Sequence, residues 1–116
     1  MPYEEDLAHR VRELIGDERG LSEMRMFGGL AFLLDGNMAV AVSSKGGLML
    51  RHDPEQLDAL LAREHARPMI MRGRPAKGWL RVDPDGVKTK RELQSWVRRG
   101  VEFARTLPPK GRAPGA

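Results

Sequence analysis

The chain opens on an apolar pattern of helical period. Leu7, Ala8, Val11, Leu14 and Ile15 fall on one face at a spacing of 3.6 residues, with His9, Arg10, Arg12 and Glu13 on the other. A helix over 4–15 follows, with Glu4, Glu5 and Asp6 in the first turn, where the helix dipole favours acids, and Gly16 to close it. The period then changes to that of strands. Met24, Met26 and Phe27 form a short run, and Gly28-Gly29 permits a bend. Leu30–Leu34 and Met38–Val42 are apolar runs joined by Asp35-Gly36-Asn37, a hairpin signal. Ser44-Lys45-Gly46-Gly47 turns the chain again into a strand over 48–51, which makes an antiparallel meander.

Asp53-Pro54-Glu55-Gln56 starts a second helix, with Asp53 as N-cap, Pro54 at N1 and Gln56 as the partner of a capping box. Leu57, Leu60 and Leu61 give it a narrow apolar stripe, and its expected end is near Glu64 or His65. Residues 68–71 and 79–82 are short strand candidates around a basic, loop-like segment, 72–78. Asp83-Pro84-Asp85-Gly86 is a turn. A last helix is capped by Thr89 with Glu92 at N3 and buries Leu93, Val97, Val101 and Ala104, with Trp96 and Leu107 on its flanks. Pro108-Pro109 ends it. The expected fold is α+β: an antiparallel meander sheet, residues 24–51 extended by 69–82, with N-terminal and C-terminal helices packed on it and one short middle helix. It forms a single domain over 1–107, followed by a flexible basic tail over 108–116.

Composition narrows the chemistry. At 116 residues with 41% apolar and 31% charged side chains the chain is one ordinary globular domain. It has no cysteine, so disulfides, thiolate nucleophiles and thiolate-held metals are excluded. The acidic start, Glu4-Glu5-Asp6, is unlike a secretory leader, and the apolar stretch 30–42 is broken by Asp35-Gly36-Asn37, which rules out a membrane span there. A cytoplasmic location is expected. The charge is uneven: residues 1–66 carry 7 basic and 12 acidic side chains, and residues 67–116 carry 13 and 4. Such asymmetry marks either a surface for nucleic acid or an acidic partner, or two halves that complement each other within one fold.

Catalytic motifs fail on inspection. Gly73-Arg74-Pro75-Ala76-Lys77-Gly78 has the gap of a phosphate loop, but Trp79 stands where Lys-Ser/Thr is required and a strand follows in place of a helix. Ser43-Ser44-Lys45 reads as a turn, and Asp83 and Asp85 as turn formers. His9, His52 and His65 are scattered, with His52 beside Asp53 the nearest approach to a site, though Asp53 is better explained as a cap. No catalytic, cofactor or metal residues are assigned. On the last helix Arg91, Arg98 and Arg105 recur every seven residues, flanked by Lys88 and Arg99, while Arg67, Arg72, Arg74, Lys77 and Arg81 cluster around 72–78. Phosphate contacts need little more than such cations, so Arg72, Arg74, Lys77, Lys88, Arg91, Arg98, Arg99 and Arg105 are the candidate nucleic-acid contacts. A solvated helix face is the plainer reading. Six of the seven methionines lie in strand candidates, where they serve either as core or as an adaptable contact surface for a partner or a second copy.

In order, Met26-Phe27-Gly28-Gly29-Leu30-Ala31-Phe32, Asp35-Gly36-Asn37-Met38, Leu48-Met49-Leu50-Arg51 and Arg74-Pro75-Ala76-Lys77-Gly78-Trp79 resemble the TfoX/Sxy N-terminal domain family over about Leu7 to Leu107. The resemblance implies a compact α+β domain in the bacterial cytosol. It also implies kinship with regulators of natural competence, which act on transcription together with the cyclic-AMP receptor protein. The family has no agreed catalytic residues to carry over. Its long members have a second, helical domain where this chain has a short Pro/Gly/basic tail. The expected function is therefore a non-catalytic regulatory module that binds a protein in transcription control, such as a transcription factor or a polymerase component. The alternative is direct DNA or RNA binding through residues 67–112, and the chain is expected to take no cofactor.

Overall fold

The computed structural model describes residues 4–26 and 28–109. Six strands form one sheet: β1 (Leu21–Met26), β2 (Gly29–Leu34), β3 (Asn37–Val42), β4 (Leu48–Arg51), β5 (Ala66–Met71) and β6 (Arg74–Val82), in the order β1-β2-β3-β4-β6-β5. Every neighbouring pair is antiparallel. Helix α1 (Glu5–Ile15) precedes the sheet, the short α2 (Leu57–Leu61) links β4 to β5, and α3 (Lys90–Arg105) closes the chain.

The expected α+β meander with terminal helices is the fold that forms. Asp35 and Gly36 both take positive φ (51° and 84°), which gives the two-residue turn whose twist matches its strands. Thr89 caps α3 as expected, its hydroxyl accepting from Glu92 N at 3.1 Å while Glu92 reaches back to Thr89 N.

Three expected element bounds are corrected. The basic segment 72–78 is no loop: β6 begins at Arg74, and only Arg72-Gly73 turns between β5 and β6. The middle helix is shorter, a 3₁₀ turn over Pro54–Gln56 leading into α2, which stops at Leu61. Asp53 does cap it, accepting from Glu55 N, without a reciprocal bond from Gln56. Finally, β1 starts at Leu21, earlier than Met24; Phe27 of that run, like residues 110–116 of the expected tail, lies outside the described residues.

The core sits between the helices and one face of the sheet. Leu7, Val11 and Ile15 of α1 and Leu93, Trp96 and Val97 of α3 meet Leu30, Phe32, Leu34, Val40, Val42, Leu48, Leu50, Leu80 and Val82. Trp96 is not on a flank but fully inside this layer, with the Arg63 guanidinium 4.3 Å over its ring. A bulge in β3 places both Ala39 and Val40 on the helix side. There α3 comes down on the sheet at Gly100: a Cβ at that position would stand 2.4 Å from Ala39 O and 2.7 Å from Val40 Cγ1.

Gly100→Ala is therefore expected to cost about 1–3 kcal/mol by overpacking, read as a lower urea midpoint at unchanged m. A wild-type midpoint would show that α3 can lift without loss. On the rim of the core, Arg12 Nε donates to Glu23 at 2.7 Å, and this hydrogen bond holds the Glu23 carboxyl below its ordinary 4.5. A depressed carboxylate stabilises above its unfolded value, and that contribution fades as pH falls through the folded one. Glu23→Gln should thus cost about 0.2–1 kcal/mol at pH 7 and progressively less below the ordinary value. A pH-independent difference would contradict the pairing.

Candidate interaction surface

The second face of the sheet is apolar as well. Ala31, Leu33, Met38, Ala41 and Met49 form a separate buried cluster, joined by half-buried Met26, Met69 and Trp79. Met24 shares this face, because it pairs with Ala31. Met71 borders the same cleft as Met26, Met38, Met49 and Met69. All six methionines of the strands thus gather here, and among the described residues the helix-covered core contains none. None of the described helices contributes to this cluster.

Met26 and Met71 belong to the two opposite edge strands. In a flat six-stranded sheet they would stand about 24 Å apart at the usual strand spacing. Instead they line one cleft of about 260 Å³. The sheet is coiled, and the methionine face is its hollow side. This explains why Met38 and Met49 are only 7% exposed although no described helix covers them.

The rim of the hollow is built differently. β4 pairs with β6 only over Trp79–Val82, so Arg74–Lys77 lie beyond the β4 pairing and the tip of the β5–β6 hairpin has two strands alone. A two-stranded ribbon is marginal in water without something to pack on. Ile70 near this tip is 56% exposed, and Met24 and Met71 are exposed too. Arg51 lines the hollow with its guanidinium 5.4 Å from the Trp79 ring, and Arg72, Arg74 and Lys77 belong to the hairpin end that carries Met71.

The candidate nucleic-acid contacts are divided among several places. Arg72, Arg74 and Lys77 stand on the hairpin, whereas Arg91, Arg98 and Arg99 share a shallow depression on α3. Lys88 pairs with Asp85 at 3.1 Å. Arg105 is committed to structure: it meets Glu18 at 3.0 Å, Asp35 at 3.3 Å and the Arg19 carbonyl at 2.7 Å. Likewise Arg67 pairs with Asp83, and Arg81 donates to Ser43 Oγ and to the Lys45 and Gly46 carbonyls. The seven-residue arginine repeat is therefore a pair, Arg91 and Arg98, plus a clamp. Among the described residues no group of three or more His, Asp or Glu side chains could hold a metal, and no helix is long and apolar enough to cross a membrane.

Against known families, a model of the TfoX N-terminal domain matches residues 13–104. The chain belongs to the TfoX N-terminal domain family. No curated protein and no solved structure matches it. The matched stretch runs from the end of α1 to the last turn of α3, so in this TfoX N-terminal domain the coiled sheet, its methionine hollow and all but the last residue of the covering helix α3 lie within the family segment.

The methionine face was only partly legible in the sequence. The alternation of Met24 with Met26 and of Met69 with Met71 pointed to one face each, but the coiling that joins them has no local signal. The clamp role of Arg105 was missed because its partners are about 70 and 87 positions away. Arg105→Gln is expected to lower stability by about 1 kcal/mol in urea titrations, since it releases one end of α3 from two loops. Unchanged stability would return Arg105 to the solvated face.

Proposed function

We propose that this domain is a non-catalytic regulatory module of the cytoplasm that recognises a protein of transcription control through its methionine-lined hollow. The observation that supports the reading is the segregation of all six strand methionines onto the sheet face that no described helix covers. Methionine is unbranched and polarizable, so a surface made of it repacks around partners of differing shape. A core needs no such plasticity, and the helix-covered core here is built of Leu, Val, Ile, Phe and Trp. The cations Arg51, Arg72, Arg74 and Lys77 favour an apolar segment with acidic flanks, such as a transcription factor or a polymerase component presents. Kinship with competence regulators points the same way.

A second reading, direct nucleic-acid binding, draws on Arg91 and Arg98, which are exposed on α3 and make no ion pair among the described residues. One experiment separates the two. Tagged wild type, a Met24→Glu/Met71→Glu variant, both positions exposed on the methionine face, and an Arg91→Ala/Arg98→Ala variant are compared for retention of a transcription protein from extract and for anisotropy of labelled duplex DNA. The hollow reading expects the glutamates to weaken retention at least tenfold and the alanines to leave it unchanged. DNA affinity that collapses between about 50 and 200 mM salt, and is lost in the alanine variant, would overturn it in favour of the second.

A further inference from the structure

A second cleft, of about 240 Å³, opens between α3 and the segment joining β4 to α2, and it adjoins the methionine hollow where the Arg51 guanidinium lies 5.8 Å from the Phe103 ring. His52, Asp53, Arg99 and Glu102 supply its polar walls, and Leu60 and Phe103 its apolar ones. His52 is only 2% exposed. Its Nδ1 lies 2.8 Å from the Asp53 carbonyl oxygen. A carbonyl can only accept, so Nδ1 carries a proton, and in that tautomer Nε2 is the accepting nitrogen. That Nε2 is buried without a partner. So is Nε of Arg99, whose guanidinium joins no ion pair among the described residues.

The two orphaned atoms have opposite needs. Nε2 of His52 requires a donor, while Arg99 requires an acceptor, best one with negative charge. Buried polar groups are seldom left in this state without something to satisfy them. Two carboxylates decide what kind of ligand fits. Asp53, already accepting from Glu55 N, and Glu102, one turn along α3 from Arg99, disfavour a simple anion. Arg99 in turn disfavours a simple cation. A water can serve such a nitrogen, but it brings neither the negative charge that suits Arg99 nor the positive charge that suits Glu102.

We propose that this cleft binds a small zwitterion of the free amino-acid class. Its carboxylate pairs with Arg99, its ammonium donates to His52 Nε2 and faces Glu102, and its side chain lies against Leu60 and Phe103. The volume suits such a ligand, being below the roughly 300–1,000 Å³ typical of sites for drug-sized molecules. The site shares no lining residue with the methionine hollow and would make the domain a sensor as well as a docking module.

The test titrates the full chain with each common amino acid at millimolar concentration. Propionate and propylamine serve as the acid-only and amine-only probes. Thermal shift and the ¹⁵N resonance of the His52 imidazole are read together. At least one amino acid should raise Tm saturably and move the His52 Nε2 signal, with neither control doing so. Arg99→Gln and Glu102→Gln should each weaken that binding at least tenfold. Glu102 is exposed, so its variant keeps the test valid even where Arg99→Gln is unstable. No saturable shift with any amino acid, equal binding of propionate, or wild-type affinity in Glu102→Gln would each overturn the proposal.

Discussion

The structure turns on a mismatch between a sheet with two apolar faces and helices enough for one. Strands β2, β3 and β4 are buried almost throughout, with side chains alternating between two separate clusters. The seat of α3 at Gly100 fixes which face the helices take. Backbone comes close to backbone there, and the bulge in β3 turns Ala39 and Val40 together toward the helix. Once α3 and α1 occupy that side, the other face has only the curvature of the sheet to shelter it.

Coiling is the response to that exposure. It draws the edge strands toward each other, hides Met38 and Met49 deep in the hollow, and leaves Met71 exposed at its mouth and Met24 exposed on the same face. The shelter is incomplete at the tip of the β5–β6 hairpin, where β4 no longer accompanies β6. An apolar ribbon tip without a third strand, carrying Arg72, Arg74 and Lys77 and set beside a flexible thioether lining, is a surface with binding capacity left over. The small cleft of His52 and Arg99 has a different origin. It lies where the chain leaves the sheet after β4 and passes under α3, and its unmet hydrogen-bonding groups are polar, not apolar.

Local chemistry was legible wherever a turn or cap is written into adjacent residues. Asp35-Gly36 gave the hairpin, and Thr89 with Glu92 gave the start of α3. The same logic misread residues 72–78, whose glycines, proline and charges are loop formers. Pro75 is tolerated in β6 because the strand has no β4 partner there, so its missing N–H costs no rung on that side. The second helix is shorter than its leucine stripe predicts, because that stripe carries no signal for the positive φ at His65 that launches β5. Long-range pairings were out of reach: nothing in the sequence links His52 to Arg99, or Arg105 to Glu18 and Asp35.

The central claim is that the methionine face stands open to solvent in the free protein. The most direct measurement is the broadening of ¹³C-labelled methionine methyl resonances by a soluble paramagnetic agent. The account predicts strong broadening for Met24 and Met71, intermediate broadening for Met26 and Met69, and the weakest for Met38 and Met49. Uniform protection of all six would mean that the hollow is already filled in the free protein, and would contradict its role as a docking surface.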